Sequence, residues 1–161
     1  MYGPPEKCYY KEEGSIPSLV SMAHGKGVAA FVPWRLGRHY AAQGNHGHAA
    51  LFRAILFDLL GVRPSIRLDA SPLIEVRSQV RSDGAWQLLS FVNHSGQNGA
   101  SFLPPLPTKD VEISMRTPSL PVTADALRLG CALPVSAVGD GRCRFTLPRL
   151  DLFETIVLRF A

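Results

Sequence analysis

No stretch of this 161-residue sequence approaches the ~18–20 consecutive apolar residues of a membrane span, so no membrane partner is expected. Charge is sparse too, 19% of residues against the ~25% usual for soluble domains. The formal net charge of +4 comes mostly from arginine and forms no dense basic run. Arg35 and Arg38, Arg77 and Arg81, and Arg142 and Arg144 stand as separate pairs. Nucleic-acid binders cluster such charge, so none is expected here. Cysteine is nearly missing: Cys8, Cys131 and Cys143 make an odd count without metal-ligand spacing. Buried free thiols in a reduced compartment are the expectation, with a contact between Cys131 and Cys143 left open because both fall in neighbouring predicted strands. The opening Met1-Tyr2-Gly3-Pro4-Pro5 lacks the basic head and apolar core of a leader, so this stretch taken by itself is expected in the cytoplasm.

Catalytic patterns are missing as well. No G-x-S-x-G elbow, H-E-x-x-H helix or G-x-x-x-x-G-K-[ST] loop occurs. The carboxylates are scattered, with Glu12 and Glu13 in a loop, Asp58 on a helix, and Asp151 and Glu154 flanking the last strand. A glycosidase pair needs two carboxylates ~5–10 Å apart across a cleft, and no spacing here suggests one. Neither a cofactor nor a catalytic residue is expected.

What is present divides at about Val62. Residues 1–17 are rich in Pro, Gly and charge and read as a loop, whose Tyr2, Tyr9 and Tyr10 need a surface to lie against. Two short apolar runs, Leu19–Met22 and Val28–Val32, flank His24-Gly25-Lys26-Gly27 and predict a hairpin. The second run is apolar on both faces, the pattern of a strand covered on both sides, and Pro33 stops it. A loop from Trp34 to Gly44 leads to Asn45, a helix N-cap. From His46 onward Leu51, Phe52, Ile55, Leu56, Leu59 and Leu60 spread around most of a helix that Gly61 ends. Burying those six side chains would stabilise by on the order of 10 kcal/mol before entropy is subtracted, yet the preceding residues offer only a ribbon to cover them.

After Pro64 the pattern becomes short β-rich segments broken by Ser82-Asp83-Gly84, Ser95-Gly96, Pro104-Pro105 and Gly139-Asp140-Gly141. Ile74, Val76 and Val80 alternate with Glu75 and Arg77, and Phe145 and Leu147 with Arg144 and Thr146. Such spacing predicts an antiparallel sandwich. The fold class is therefore α+β: an α/β piece over residues 1–62, a hairpin and one helix, then a β-sandwich over 63–161. Trp86, beside Leu88, reads as sandwich core.

The groups able to do more than fold concentrate between Trp34 and His48. Trp34, Arg35, His39, Tyr40, Gln43 and His46 are the candidate ligand-binding or interface residues, since aromatic faces beside hydrogen-bonding groups hold a sugar or anchor a protein. Packing of the loop onto its own domain is the bland alternative. His39, His46 and His48 invite a metal, but H-x-H at a helix start fits neither structural nor catalytic zinc spacing, and no metal is expected.

Several residues carry a resemblance: Gly3-Pro4-Pro5-Glu6-Lys7-Cys8, Gly25-Lys26-Gly27, Val32-Pro33-Trp34 with Gly37, Gln43-Gly44, His46, Leu88 to Asn93, and Leu147-Pro148-Arg149-Leu150. With them the chain resembles the C-terminal half of bacterial beta-galactosidase-like glycoside hydrolases, related to family 42 and to hydrolases sharing its trimerisation domain. There a catalytic (β/α)8 barrel precedes an amidotransferase-like α/β domain and a small sandwich. A barrel alone needs ~250 residues and is not in this sequence. The resemblance implies the last hairpin and helix of the α/β domain, a missing catalytic barrel or partner subunit, a homo-oligomer, and a non-catalytic role in assembly and cleft walling. A free-standing carbohydrate-binding module, using Trp34 or Trp86, is the rival expectation.

Overall fold

The computed structural model describes residues 14–161, together with all side chains in that range except that of Gln43. Tyr2, Tyr9, Tyr10 and Cys8 lie outside the described residues. The chain divides into two compact units, residues 1–63 and 64–161.

In the first unit β1 (Val20–His24) and β2 (Gly27–Phe31) form the expected hairpin, with His24 opposite Gly27. Gly25 takes φ 57°, which a side chain would resist, and so allows the two-residue turn. The hairpin is a two-stranded sheet by itself, and β2 is not covered on both sides. Val28 and Phe31, on opposite faces, are both exposed. An all-apolar strand states what cover it needs. Within the first unit the described residues do not supply it.

The expected loop from Trp34 to Gly44 contains a helix, α1 (Leu36–Gln43). Tyr40, Ala41, Ala42 and Gln43 are fair helix formers, and Gly44 closes the helix at φ 61° with its N–H on the Tyr40 carbonyl. α2 (His46–Ala54) starts as expected, with the Asn45 side chain accepting from the Gly47 N–H at 2.8 Å. It continues as a π-helical turn, Ile55–Leu59, in which Leu60 N–H reaches the Ile55 carbonyl, and ends at Gly61 with φ 64°. α1 packs on α2. Of the six apolar residues of this helix only Ile55 is buried; α2 itself buries none, and Leu51 and Phe52 are exposed.

The second unit is the predicted sandwich. Its strands are β3 (Ile66–Asp69), β4 (Ile74–Val80), β5 (Trp86–Asn93), β6 (Gln97–Asn98), β7 (Ser101–Phe102), β8 (Thr108–Arg116), β9 (Thr123–Ala126), β10 (Cys131–Ala132), β11 (Ser136–Ala137), β12 (Arg142–Leu150) and β13 (Phe153–Arg159). One antiparallel sheet runs β10-β9-β13-β5-β4 and the other β11-β12-β8-β3; β6 and β7 form a separate ribbon. Leu89, Phe91, Ile156 and Leu158 from the first sheet and Val111, Ile113, Met115, Phe145 and Leu147 from the second are buried to 2% exposure or less. Their period-two spacing turns every second side chain into one core.

Two expectations need correction. Trp86 is half-buried and shares strand parity with Leu88, opposite to the fully buried Leu89 and Phe91. It belongs to the outer face of its sheet, across from Arg159, and not to the core. Cys131 and Cys143 lie in different sheets, both as free thiols; Cys131 is exposed and Cys143 fully buried. Burial pushes the Cys143 thiol up from its ordinary range, against a smaller opposing hydrogen bond from Thr117. A maleimide is therefore expected to label Cys131 in the native chain within minutes and Cys143 only in denaturant. Peptide mapping that finds Cys143 modified at the Cys131 rate would contradict this packing.

Gly96 shows a second testable constraint. A Cβ there would collide with the Leu103 carbonyl oxygen and lie 2.9 Å from the Pro105 nitrogen, both backbone atoms that cannot swing aside. Gly96 also accepts the Leu103 N–H at 2.8 Å. Gly96→Ala is expected to lose about 2 kcal/mol in denaturant unfolding, the scale of a strained overpacked site. Gly99→Ala, which meets no neighbour but has φ 60°, is expected to lose about 1 kcal/mol.

Candidate functional site

The residues singled out from sequence sit around the start of α1 and the α1–α2 turn. Trp34 precedes α1, and its indole N–H donates to the Ser18 carbonyl at 2.9 Å, tying the segment that leads into β1 to the start of α1. The Trp34 carbonyl accepts the Leu36 N–H at 2.9 Å, and Leu36, at 6% exposure, is the buried anchor of α1. Arg35 occupies the N-cap position without a side-chain cap and is exposed. His39 and Tyr40 are exposed on α1, and His46 is exposed at the first position of α2. Gln43 is the last residue of α1, and its side chain is outside the described residues.

The fold gathers Trp34, His39 and His48 into a triangle. Ring centroids are 6.1 Å apart for Trp34 and His39, 5.8 Å for Trp34 and His48, and 5.9 Å for His39 and His48, all tilted between 44° and 56°. Aromatic rings at such separations favour offset or tilted arrangements over a face-to-face sandwich. His48 thus joins Trp34 and His39, whereas His46 does not. The signal that could have selected it is its place in the first turn of α2, across the Gly44 reversal from His39. Nδ1 of His48 is buried and has no hydrogen-bond partner among the described residues.

Chemically the triangle is an aromatic platform. Among the described residues no group of three or more His, Cys, Asp or Glu side chains is placed to hold a metal ion.

In the sandwich the buried polar groups serve the backbone. Glu154, 1% exposed, accepts the N–H groups of Arg128, Leu129 and Thr155. Asn93 donates to the carbonyls of Leu106 and Asp151 and accepts from Ser95 N–H, joining three loops. A cavity of about 170 Å³ lies at one end, lined by Thr117, Leu120, Gly139, Gly141, Arg142 and Cys143. That is below the ~300–1,000 Å³ usual for ligand pockets. On the outer face Glu75 meets Arg77 at 2.6 Å and His94 at 3.0 Å. The hydrogen bond from Arg77 first, then that from His94, holds its carboxyl below the usual range. Its small surface contribution is therefore present at neutral pH and fades as pH falls through that lowered value.

No family model matches the chain, and no curated protein does. Solved structures do. An alpha-L-fucosidase, isoenzyme 2 from Paenibacillus thiaminolyticus, superposes with a TM-score of 0.70 at 17% identity, over 94% of this chain and 23% of that one. The likeness is one of fold. This chain spans about a quarter of the fucosidase's length. A Paenibacillus sp. cycloisomaltooligosaccharide glucanotransferase also matches, with a TM-score of 0.38 at 15% identity, over 66% of this chain and 19% of that one. Among the described residues no helix is long and apolar enough to cross a membrane.

Proposed function

We propose that this chain is the C-terminal, non-catalytic portion of a glycoside-hydrolase-like protein. Residues 1–62 belong to an α/β domain of amidotransferase type whose remainder is not in this sequence. They serve domain and oligomer assembly, and the Trp34 platform walls the cleft of the complete enzyme. The sandwich braces that domain. One observation carries the proposal: the hairpin is exposed on both faces and α2 buries no residue, so the described residues of the first unit do not cover its own apolar side chains. The fold shared with part of a much longer fucosidase supports it, as do the beta-galactosidase-like residues named above.

Hydrogen exchange tests the proposal on the chain as it stands. Amides of β1, β2, α1 and α2 are expected to exchange at least a hundredfold faster than those of β5, β8, β12 and β13, because exposed, weakly packed elements open locally. Protection of the first unit equal to that of the sandwich would defeat the proposal. No turnover of nitrophenyl galactosides or fucosides is expected either; activity abolished by changing a carboxylate of this chain would overturn it.

A second reading, a free-standing carbohydrate-binding module, draws on the place of Trp86 on the outer sheet face. It predicts saccharide binding by calorimetry that Trp86→Ala or Trp34→Ala weakens.

A further inference from the structure

We infer that the outer face of the five-stranded sheet binds a neutral saccharide, with Trp86 as the stacking surface and the Arg159–Asp125 pair contacting the hydroxyls. The inference goes beyond the assembly role just proposed. It needs neither that role nor a free-standing chain, because every group it uses lies in the sandwich. It also assigns the sugar to Trp86 and withholds it from Trp34.

Register places the groups. Ala124, Ile156 and Leu158 are buried to 1% exposure or less, so Thr123, Asp125, Val157 and Arg159 turn outward, and Trp86 and Leu88 share that face. Trp86 stands opposite Arg159, and Arg159 opposite Thr123, which makes one row across three strands. Leu88 opposite Val157, and Val157 opposite Asp125, make the next. Neighbouring strands lie ~4.8 Å apart, and residues of one face follow at about 7 Å along a strand. The two rows therefore cover about 10 Å by 7 Å, room for one sugar ring with its substituents. Trp86, Leu88 and Val157 form the apolar side of this patch, and all three are half-buried. Held by their own strands, they lose little freedom when a ring settles on them. The C–H face of a pyranose is an apolar surface of the kind an indole takes.

The polar side is fixed in advance. One terminal nitrogen of Arg159 donates to Asp125 and, at 3.3 Å, to Thr123 Oγ1, and Thr123 Oγ1 donates to the same Asp125 oxygen at 3.2 Å. That trio occupies one guanidinium nitrogen and one carboxylate oxygen. Among the described residues the other guanidinium N–H groups and the second oxygen are left for a ligand. Fixed donors beside a fixed acceptor suit neighbouring hydroxyls, each of which both gives and takes a hydrogen bond. The same pair selects against charge. Asp125 opposes an anion at Arg159, and Arg159 opposes a cation at Asp125. A neutral, polyhydroxylated ligand is the class that satisfies both.

The test titrates the intact chain with four neutral methyl glycosides, those of glucose, galactose, mannose and fucose, and follows it by NMR. Two tryptophans give two indole N–H signals, which Trp34→Phe assigns. With at least one glycoside the Trp86 signal is expected to move saturably, with a Kd of about 1 mM, while the Trp34 signal stays in place. Affinities of the variants are read from the backbone amides of β9 and β13. Trp86→Ala is expected to weaken binding about tenfold. Thr123 is exposed, so Thr123→Ala leaves the fold in place, and about threefold weaker binding is expected. Asp125→Asn gives the sharper result, because it frees the Arg159 charge. Neutral binding should fall about fivefold, and methyl glucuronide, which wild type binds no better than the neutral sugars, should become the preferred ligand. No saturable shift with any of the four up to about 50 mM overturns the inference. Movement of the Trp34 signal alone overturns it, as does an Asp125→Asn chain that binds like wild type. Self-association that Trp86→Ala abolishes, without a sugar shift, assigns the face to a second copy and overturns it too. Fast exchange of the first unit combined with no sugar binding would sink this inference and leave the assembly role standing.

Discussion

A Glu154→Ala chain is expected to lose about 3–4 kcal/mol of stability and roughly 10–20 °C of melting temperature. Glu154 lies on β13 opposite Phe91, in the interior of the five-stranded sheet. One oxygen accepts the Arg128 N–H at 2.8 Å and the Thr155 N–H at 2.7 Å; the other accepts the Leu129 N–H at 2.9 Å. Arg128 and Leu129 belong to the reversal from β9 to β10, which closes with the Gly130 N–H on the Ala126 carbonyl at 2.9 Å. The carboxylate thus supplies acceptors for a turn whose own backbone cannot. Alanine strands those donors and opens a gap in a packed layer, two penalties that add. Glu154→Gln keeps the shape but turns an N–H toward a donor, so about half the loss is expected. Glu112→Ala is the control: its ion pair with Arg144 is exposed, and less than about 1 kcal/mol should be lost. Urea unfolding decides it. Equal losses for Glu154 and Glu112 would mean the turn holds without its carboxylate.

That role was not legible in the sequence, and the reason is general. Glu154 serves backbone N–H groups some twenty-five residues away, and backbone groups leave no mark on residue identity. The strands were legible because they obey a local rule: Phe145 and Leu147 face in, Arg144 and Thr146 face out. That rule falters where both faces are apolar. In Trp86–Asn93 it marked a strand but did not say which parity faces the core, and Trp86 went to the wrong side. α1 escaped for the opposite reason. With Gly37, Arg38 and His39 in its first half it carries little apolar period, and only the helix-forming Tyr40–Gln43 before Gly44 betrayed it. The same gap hid part of the candidate site. Without α1 there is no turn to bring His39 beside His48, so the triangle with Trp34 could not be drawn. The lack of cover for Leu51 and Phe52, by contrast, was readable, because it follows from counting apolar residues against the elements available to bury them.

Arg142→Met carries the second large effect, an expected loss of about 2–3 kcal/mol and roughly 10 °C. The Arg142 guanidinium is 9% exposed and has oxygen partners on three sides. Nε donates to Ser114 Oγ at 3.0 Å, one terminal nitrogen to the Pro64 carbonyl at 3.1 Å, and the other to the carbonyls of Ser114 at 2.7 Å and Ser65 at 3.4 Å. Burial, and then the nearby charges of Arg67 and Arg116, make it a weaker base than usual, though a guanidinium stays charged at any physiological pH. Removing a buried, crowded charge would by itself be favourable, and methionine fills much of the same volume. The carbonyls decide the sign, because they remain after the fork that satisfied them is gone. Lysine cannot replace it: one ammonium on a flexible stem does not span oxygens held by β8 and by the chain entering β3, so Arg142→Lys should recover less than half the loss. The location gives a finer test than stability alone. Arg142 holds Pro64 and Ser65 beside β8, where the Arg116 N–H also reaches the Ser65 carbonyl at 2.8 Å. Exchange protection in Arg142→Met should therefore fall first in β3, the edge strand that begins there, while β5 and β13 in the other sheet change only with global stability. Uniform loss across both sheets would show that the guanidinium braces the core as a whole and is not the clasp of its first strand.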